Sequence, residues 1–124
     1  VKISCSEDAY QLVRSHMEDL NYEVFKIILL NRSNKVIKVV EVSKGGVAGT
    51  VVDPKLIFKA ALDHLACSII LCHNHPSGNL KPSKQDIDIT KKISDAGKQL
   101  EIQVLDHIIV SVDGYFSFTD DGLF

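Results

Sequence analysis

The chain has 124 residues, 45% of apolar type and 24% charged, with a formal charge of -2. This is the profile of one globular domain with one hydrophobic core, and it excludes both a two-domain arrangement and a disordered segment. Sixteen acids against 14 bases leave no chain-wide positive field for a phosphate backbone, and the apolar stretch Leu65–Cys72, interrupted by Ser68, is far too short to cross a bilayer.

In chain order, Ser6 followed by Glu7 and Asp8 predicts a helix N-cap, and Ala9, Leu12, Val13, Met17 and Leu20 recur at helical spacing, giving a first helix from about Ser6 to Asp19. Val24–Leu30, the turn Asn31–Asn34 and Lys35–Ser43 predict an antiparallel hairpin. On its second strand Ile37, Val39 and Glu41 share one face, so Glu41 is expected to point inward. Gly45, Gly46 and Gly49 make a loop, after which Asp53 as N-cap and Pro54 open a second helix with a buried stripe of Ile57, Ala60, Ala61 and Leu65. Ser68–Cys72 reads as a strand buried on both faces. A loop punctuated by Pro76, Gly78 and Pro82 leads to a third helix from Ser83 to about Gly97, where the glycine suits a C-terminal cap. Ile102–Leu105 and His107–Val112 read as strands, and Asp113-Gly114 pairs the second of these with Tyr115–Phe118. The fold expected is α/β, with three helices around a mixed sheet.

Three cysteines (Cys5, Cys67, Cys72) without a CxxC pair, and an N-terminus with no secretory pattern, fit a reducing cytoplasmic compartment. A chain that begins at Val1, with Met17 as its single methionine, is expected to be a piece of a longer protein. The stretch from Arg32 to Lys44 is locally basic, an ordinary solvated face unless it serves as a weak DNA contact.

The chemistry concentrates after the buried strand. Residues i and i+2 of an extended segment project to one side, so His73 and His75 present two imidazoles to one point, and Asp86 in the first turn of the next helix supplies a carboxylate. Two histidines, an acid and room for water describe a catalytic zinc site, with Glu41 as the proton carrier. Ser83-x-x-Asp86 is also a capping box, which needs no metal; capping and ligation are compatible. The contiguous His73-Asn74-His75 does not build an HNH nuclease site. The His-x-Glu and Pro-Cys-x-x-Cys of nucleobase deaminases are missing, and Cys72, next to His73, reads as core rather than nucleophile. His16 and His64 read as structural.

The spacing His73-x-His75, seven residues, Ser83, two residues, Asp86 is that of the JAMM (MPN+) metalloprotease motif. With Glu41–Gly46, the string Leu71–Gly78 and Val104-Leu105-Asp106-His107, the whole chain from about Ser6 resembles the RadC family, historically called DNA repair proteins. The resemblance implies a cytidine-deaminase-like α/β/α JAMM/MPN domain covering residues 1–124, and a helix-hairpin-helix-like N-terminal region in full-length relatives that is absent from this sequence. It further implies one zinc ion on His73, His75 and Asp86, Glu41 as general acid/base, and Ser83 steadying the tetrahedral intermediate. Asn74, Ser77, Asp106 and His107 are candidates for orienting the ligands or shaping the loop over them. Manganese or iron would tolerate the same ligands. The implied activity is hydrolysis of a peptide or isopeptide bond in a protein or peptide substrate, without DNA or membrane contact by this domain. The competing expectation is a non-enzymatic interaction or DNA-repair accessory module with a structural or vestigial metal site. The edge strand Tyr115–Phe118 leaves a dimer open.

Overall fold

The structure, a computed structural model, describes residues 1–45 and 52–124; Gly46 and Gly49 lie outside the described residues. Eight elements follow in order: α1 (Ser6–Met17), β1 (Val24–Leu30), β2 (Val36–Lys44), α2 (Pro54–Asp63), β3 (Ser68–Asn74), α3 (Lys84–Gln99), β4 (Gln103–Ser111) and β5 (Gly114–Ser117). They build one five-stranded sheet in the order β2-β1-β3-β4-β5. Only β3 and β4 run parallel, joined by the α3 crossover; every other pair is antiparallel.

Alternation along the strands creates two cores. On one face Phe25, Ile27, Leu29, Ile69 and Leu71 pack under Ile57, Phe58 and Ala61 of α2 and Ile93 of α3. On the other, Ile28, Leu30, Ile70, Cys72, Ile108 and Val110 pack under Ala9, Tyr10, Val13 and Met17 of α1. All seven residues of β3 are buried, as a central strand covered on both faces requires. At about 1.5–3 kcal/mol for each aliphatic side chain fully buried, this double core makes a rigid platform for the polar ends of the strands.

Several expectations shift. The first helix stops at Met17, and its N-cap is Cys5 without a side-chain cap, because the Ser6 hydroxyl is spent on Asp120 and Tyr115. Helix α2 does start on Asp53, whose carboxylate accepts from Lys55 N at 2.9 Å, but it ends before Leu65, which takes a positive φ of 54° and is exposed. Gly97 lies inside α3 rather than at its cap. A Cβ there would sit 2.3 Å from the Ile102 carbonyl oxygen, so the glycine serves the close approach of the chain leaving the helix. The two strands expected around Asp106 are one bulged strand, in which Ile69 and Ile70 pair with Val104 and Asp106, and Leu105 is the extra residue. The final hairpin turns on Val112-Asp113, with Gly114 already opposite Ser111.

Candidate metal centre

Strand direction brings three chain segments to one end of the sheet. Because β1 is antiparallel to β3, its beginning lies beside the end of β3, and Phe25 pairs with His73. His75 follows β3 directly and is held to the parallel neighbour by its backbone N–H, which donates to the Val110 carbonyl at 2.9 Å. The loop then turns tightly, with Gly78 at φ 86°, and its Asn79 carbonyl accepts from His75 Nδ1 at 2.6 Å. Helix α3 opens on a reciprocal cap: Ser83 Oγ accepts from Asp86 N at 3.0 Å, and Asp86 Oδ2 accepts from Ser83 N at 2.8 Å. That cap points the Asp86 carboxylate at the strand end.

Three ligating groups converge there. His73 Nε2 and His75 Nε2 are 2.9 Å apart, and the Asp86 oxygens stand 3.3 Å from the first and 3.2 Å from the second. Ligands held about 2.0–2.1 Å from a tetrahedral zinc ion are themselves about 3.3–3.4 Å apart, so the two nitrogens and this carboxylate are spaced to suit one ion. A carbonyl oxygen has no hydrogen to give, so His75 Nδ1 is the donor to Asn79, and a neutral His75 presents its Nε2 lone pair to the centre. The site also favours positive charge. Burial opposes ionisation of Asp86, yet hydrogen bonds from His73 and His75 outweigh it and hold the carboxyl far below the usual carboxylate range. Burial likewise opposes a charged His75, but the Asp86 carboxylate and the Asn79 carbonyl raise its pKa above the ordinary imidazole value.

A fourth group completes the cluster. Glu23 immediately precedes β1, and its carboxylate lies within 4.8 Å of the His73 and His75 nitrogens. The Asn74 side chain brackets it: Nδ2 donates to the Tyr22 carbonyl at 2.9 Å, and Oδ1 accepts from Val24 N at 2.7 Å. Glu23, His73, His75, Ser83 and Asp86 all line one open cleft of about 810 Å³, walled by Phe25, Val52 and Ile89 on its apolar side and by Ser77, Asn79, Lys81 and Gln85 at its polar rim. A cluster with the donor set to hold a metal ion, lining an open cleft, is an arrangement suited to a bound ligand.

The sequence profile of the RadC-like JAB domain matches residues 3–123. The chain belongs to the RadC family. A protein named UPF0758 protein from Flavobacterium johnsoniae is 49% identical over 99% of this chain and 54% of its own length. Similar proteins of that name from Porphyromonas gingivalis and Clostridium beijerinckii are 44% and 42% identical over 98% and 99% of this chain, each matched over 54% of its own length. The chain therefore spans about half the length of these curated relatives. The five-stranded mixed sheet and three helices are consistent with a JAB/MPN-like α/β fold. No helix among the described residues is long and apolar enough to cross a membrane.

Within this RadC-family domain, the sequence-predicted residues separate into those the fold gathers and those it does not. His73, His75, Ser83 and Asp86 meet in the cleft, and Ser77 lines it. Glu41 does not. It is exposed on the edge strand and pairs with Lys26, which in turn pairs with Cys72, so the register places it on the α1 face, opposite His73. The inward line Ile37-Val39-Glu41 holds only at Val39, which packs against the α1 core: Ile37 and Glu41 are exposed on this edge strand, while Val40 and Val42 pack against the α2/α3 core. Glu23 is the acid that sequence reasoning missed. Its signal is a carboxylate immediately before a buried strand, legible only once β1 is known to pair with β3.

Asp106 also stays away from this cluster. It accepts from Ser117 Oγ at 2.6 Å, His107 N at 2.7 Å and Thr119 N at 3.0 Å, fastening the C-terminal turn to β4, and burial raises its pKa despite these bonds. Asn74 holds the start of β1 rather than the loop over the site. His107 does reach a predicted ligand: its Nε2 lies 2.8 Å from His73 Nδ1. His64 bonds the Ala60 carbonyl through Nδ1 and has a structural place at the end of α2.

Proposed function

We propose that this domain is a zinc-dependent hydrolase of JAMM type, acting on a peptide or isopeptide bond. The observation that carries the reading is the convergence of two imidazole nitrogens and one carboxylate within 3.3 Å of one another, beside a second carboxylate in an open cleft. His73, His75 and Asp86 would hold the ion, leaving a position open towards the cleft. When bound, zinc lowers the pKa of water towards about 7 and polarises a carbonyl. Glu23, whose carboxylate lies near the two histidines, would take the proton from the attacking water and return it to the departing amine, the role expected of Glu41 from the sequence. Ser83 Oγ spends a lone pair on Asp86 N but keeps its O–H, which is free to donate to the charge developing on the substrate carbonyl oxygen. The apolar wall of Phe25, Val52 and Ile89 gives an extended protein or peptide substrate a surface to lie against.

The test has two stages. Elemental analysis of chelator-free protein should find near-stoichiometric zinc, lost in the His75→Ala, Asp86→Ala double variant. Against a panel of peptides and isopeptide-linked conjugates, Glu23→Gln should keep the metal and lower turnover by about 10²–10⁴-fold. Glu41→Gln should leave turnover unchanged. Wild-type protein that takes up no zinc even when it is added would overturn the reading in favour of a non-enzymatic module.

A further inference from the structure

Behind His73, away from the cleft, lies a chain of polar atoms with a definite direction. Thr90 Oγ1 lies 2.6 Å from the Asp86 main-chain carbonyl and 2.6 Å from His107 Nδ1, and His107 Nε2 lies 2.8 Å from His73 Nδ1. Thr90, His107 and His73 are all buried, so water does not compete for these bonds. The Asp86 carbonyl only accepts, so the single hydroxyl hydrogen of Thr90 goes to it. Towards His107, Thr90 is then an acceptor, and His107 Nδ1 must carry the hydrogen. A neutral His107 is left with a bare Nε2, which accepts from His73 Nδ1–H, and a neutral His73 is left with its Nε2 lone pair facing His75 and Asp86. The His107 ring is fixed for this task by Phe118 stacked at 4.7 Å and the edge contact with Phe25 at 5.6 Å.

We propose that Thr90 and His107 are positioning residues for the centre: through the hydrogen-bond order Thr90, His107, His73 they lock His73 in the Nδ1–H form, with its Nε2 lone pair aimed into the cleft. The circuit closes on itself. It begins at the carboxylate of Asp86 beside His73 Nε2 and ends at the carbonyl of the same residue, so the backbone of α3 that delivers one ligand also sets the tautomer of another. This inference rests on the metal-site reading for its purpose; without metal, His107 still fixes a proton on His73 Nδ1, while a proton through which His73 or His75 bonds the Asp86 carboxylate stands where the ion would.

Two measurements test it. In metal-free wild-type protein labelled with nitrogen-15 histidine, long-range proton–nitrogen correlation should show both His107 and His73 protonated at Nδ1. A His73 found mainly as Nε2–H would overturn the proposal without any variant having to fold. Thr90→Val should release the tautomer preference and weaken zinc binding, read by chelator competition, by about 10–100-fold. Thr90→Ser should restore both, and His107→Gln, which keeps an acceptor facing His73, should lose less than His107→Leu. A role limited to packing would lower the melting temperature of Thr90→Val while leaving the tautomer and the zinc affinity at wild-type values, and that result would also overturn the proposal. Failure of the wild type to bind zinc would instead overturn the reading of the site as a metal centre, with the metal-free spectrum still deciding the hydrogen-bond order.

Discussion

Cys72 and His73 are neighbours on β3 and both are buried, yet the two faces of the sheet treat them in opposite ways. On the α1 face Cys72 sits among Ile28, Ile70 and Ile108, and burial, helped by the charge of Asp106, pushes its thiol far above the ordinary range. It is held neutral and out of reach of any nucleophilic role. On the opposite face His73 meets polar partners at both ring nitrogens, His107 on one side and His75 with Asp86 on the other. The lesson is that burial alone decides little about a reactive side chain. What decides is whether the surrounding elements supply partners to that side chain, and they do so for His73.

If the faces divide the work in this way, they should separate experimentally. The largest effect is expected on the apolar side: Met17→Ala, at a fully buried position, should cost about 2–5 kcal/mol in denaturant unfolding and leave zinc affinity per folded molecule unchanged. A parallel loss of zinc affinity would show that the two faces are coupled. Asn74→Ala should cost about 1–3 kcal/mol, since it leaves the Tyr22 carbonyl and the Val24 N–H without their partner. Hydrolysis should fall by more than that loss of folded protein explains, because Glu23 sits between the two bonds that Asn74 makes. Zinc affinity itself should rise with pH. The His75 pKa is raised above 6.5, so below that raised value the ion must displace a proton, and affinity should climb by about tenfold per pH unit before levelling above it. Affinity independent of pH between 6 and 8 would show that His75 does not ligate through the nitrogen facing Asp86.

The two glutamates show how far the sequence was legible. The His-x-His at a strand end and the Ser83/Asp86 pair could be read because each depends on local spacing: period two in an extended chain, and one helical turn at an N-terminus. The acid of the cluster could not be read in that way. Its place depends on β1 pairing with β3 across nearly fifty residues of chain, and on β2 lying at the edge of the sheet. A period-two pattern assigns residues to two faces without saying which face carries the site, so Glu41 looked inward and Glu23, just before the first strand, was not singled out. Gly97 was misread for a related reason, since its missing Cβ answers a carbonyl from the next segment rather than the end of its own helix.

By itself, then, the sequence determined a single α/β domain, the positions of its helices and strands to within a few residues, the histidine pair and the capped acid. These follow from hydrophobic periodicity, turn chemistry and capping, which act over a few residues. Only the tertiary structure decided which carboxylate joins the histidines, that Asn74 brackets it, and that Thr90 and His107 stand behind His73. Those contacts join residues from separate strands and helices, and they exist only because the strand order and the α3 crossover bring those segments together at one end of the sheet.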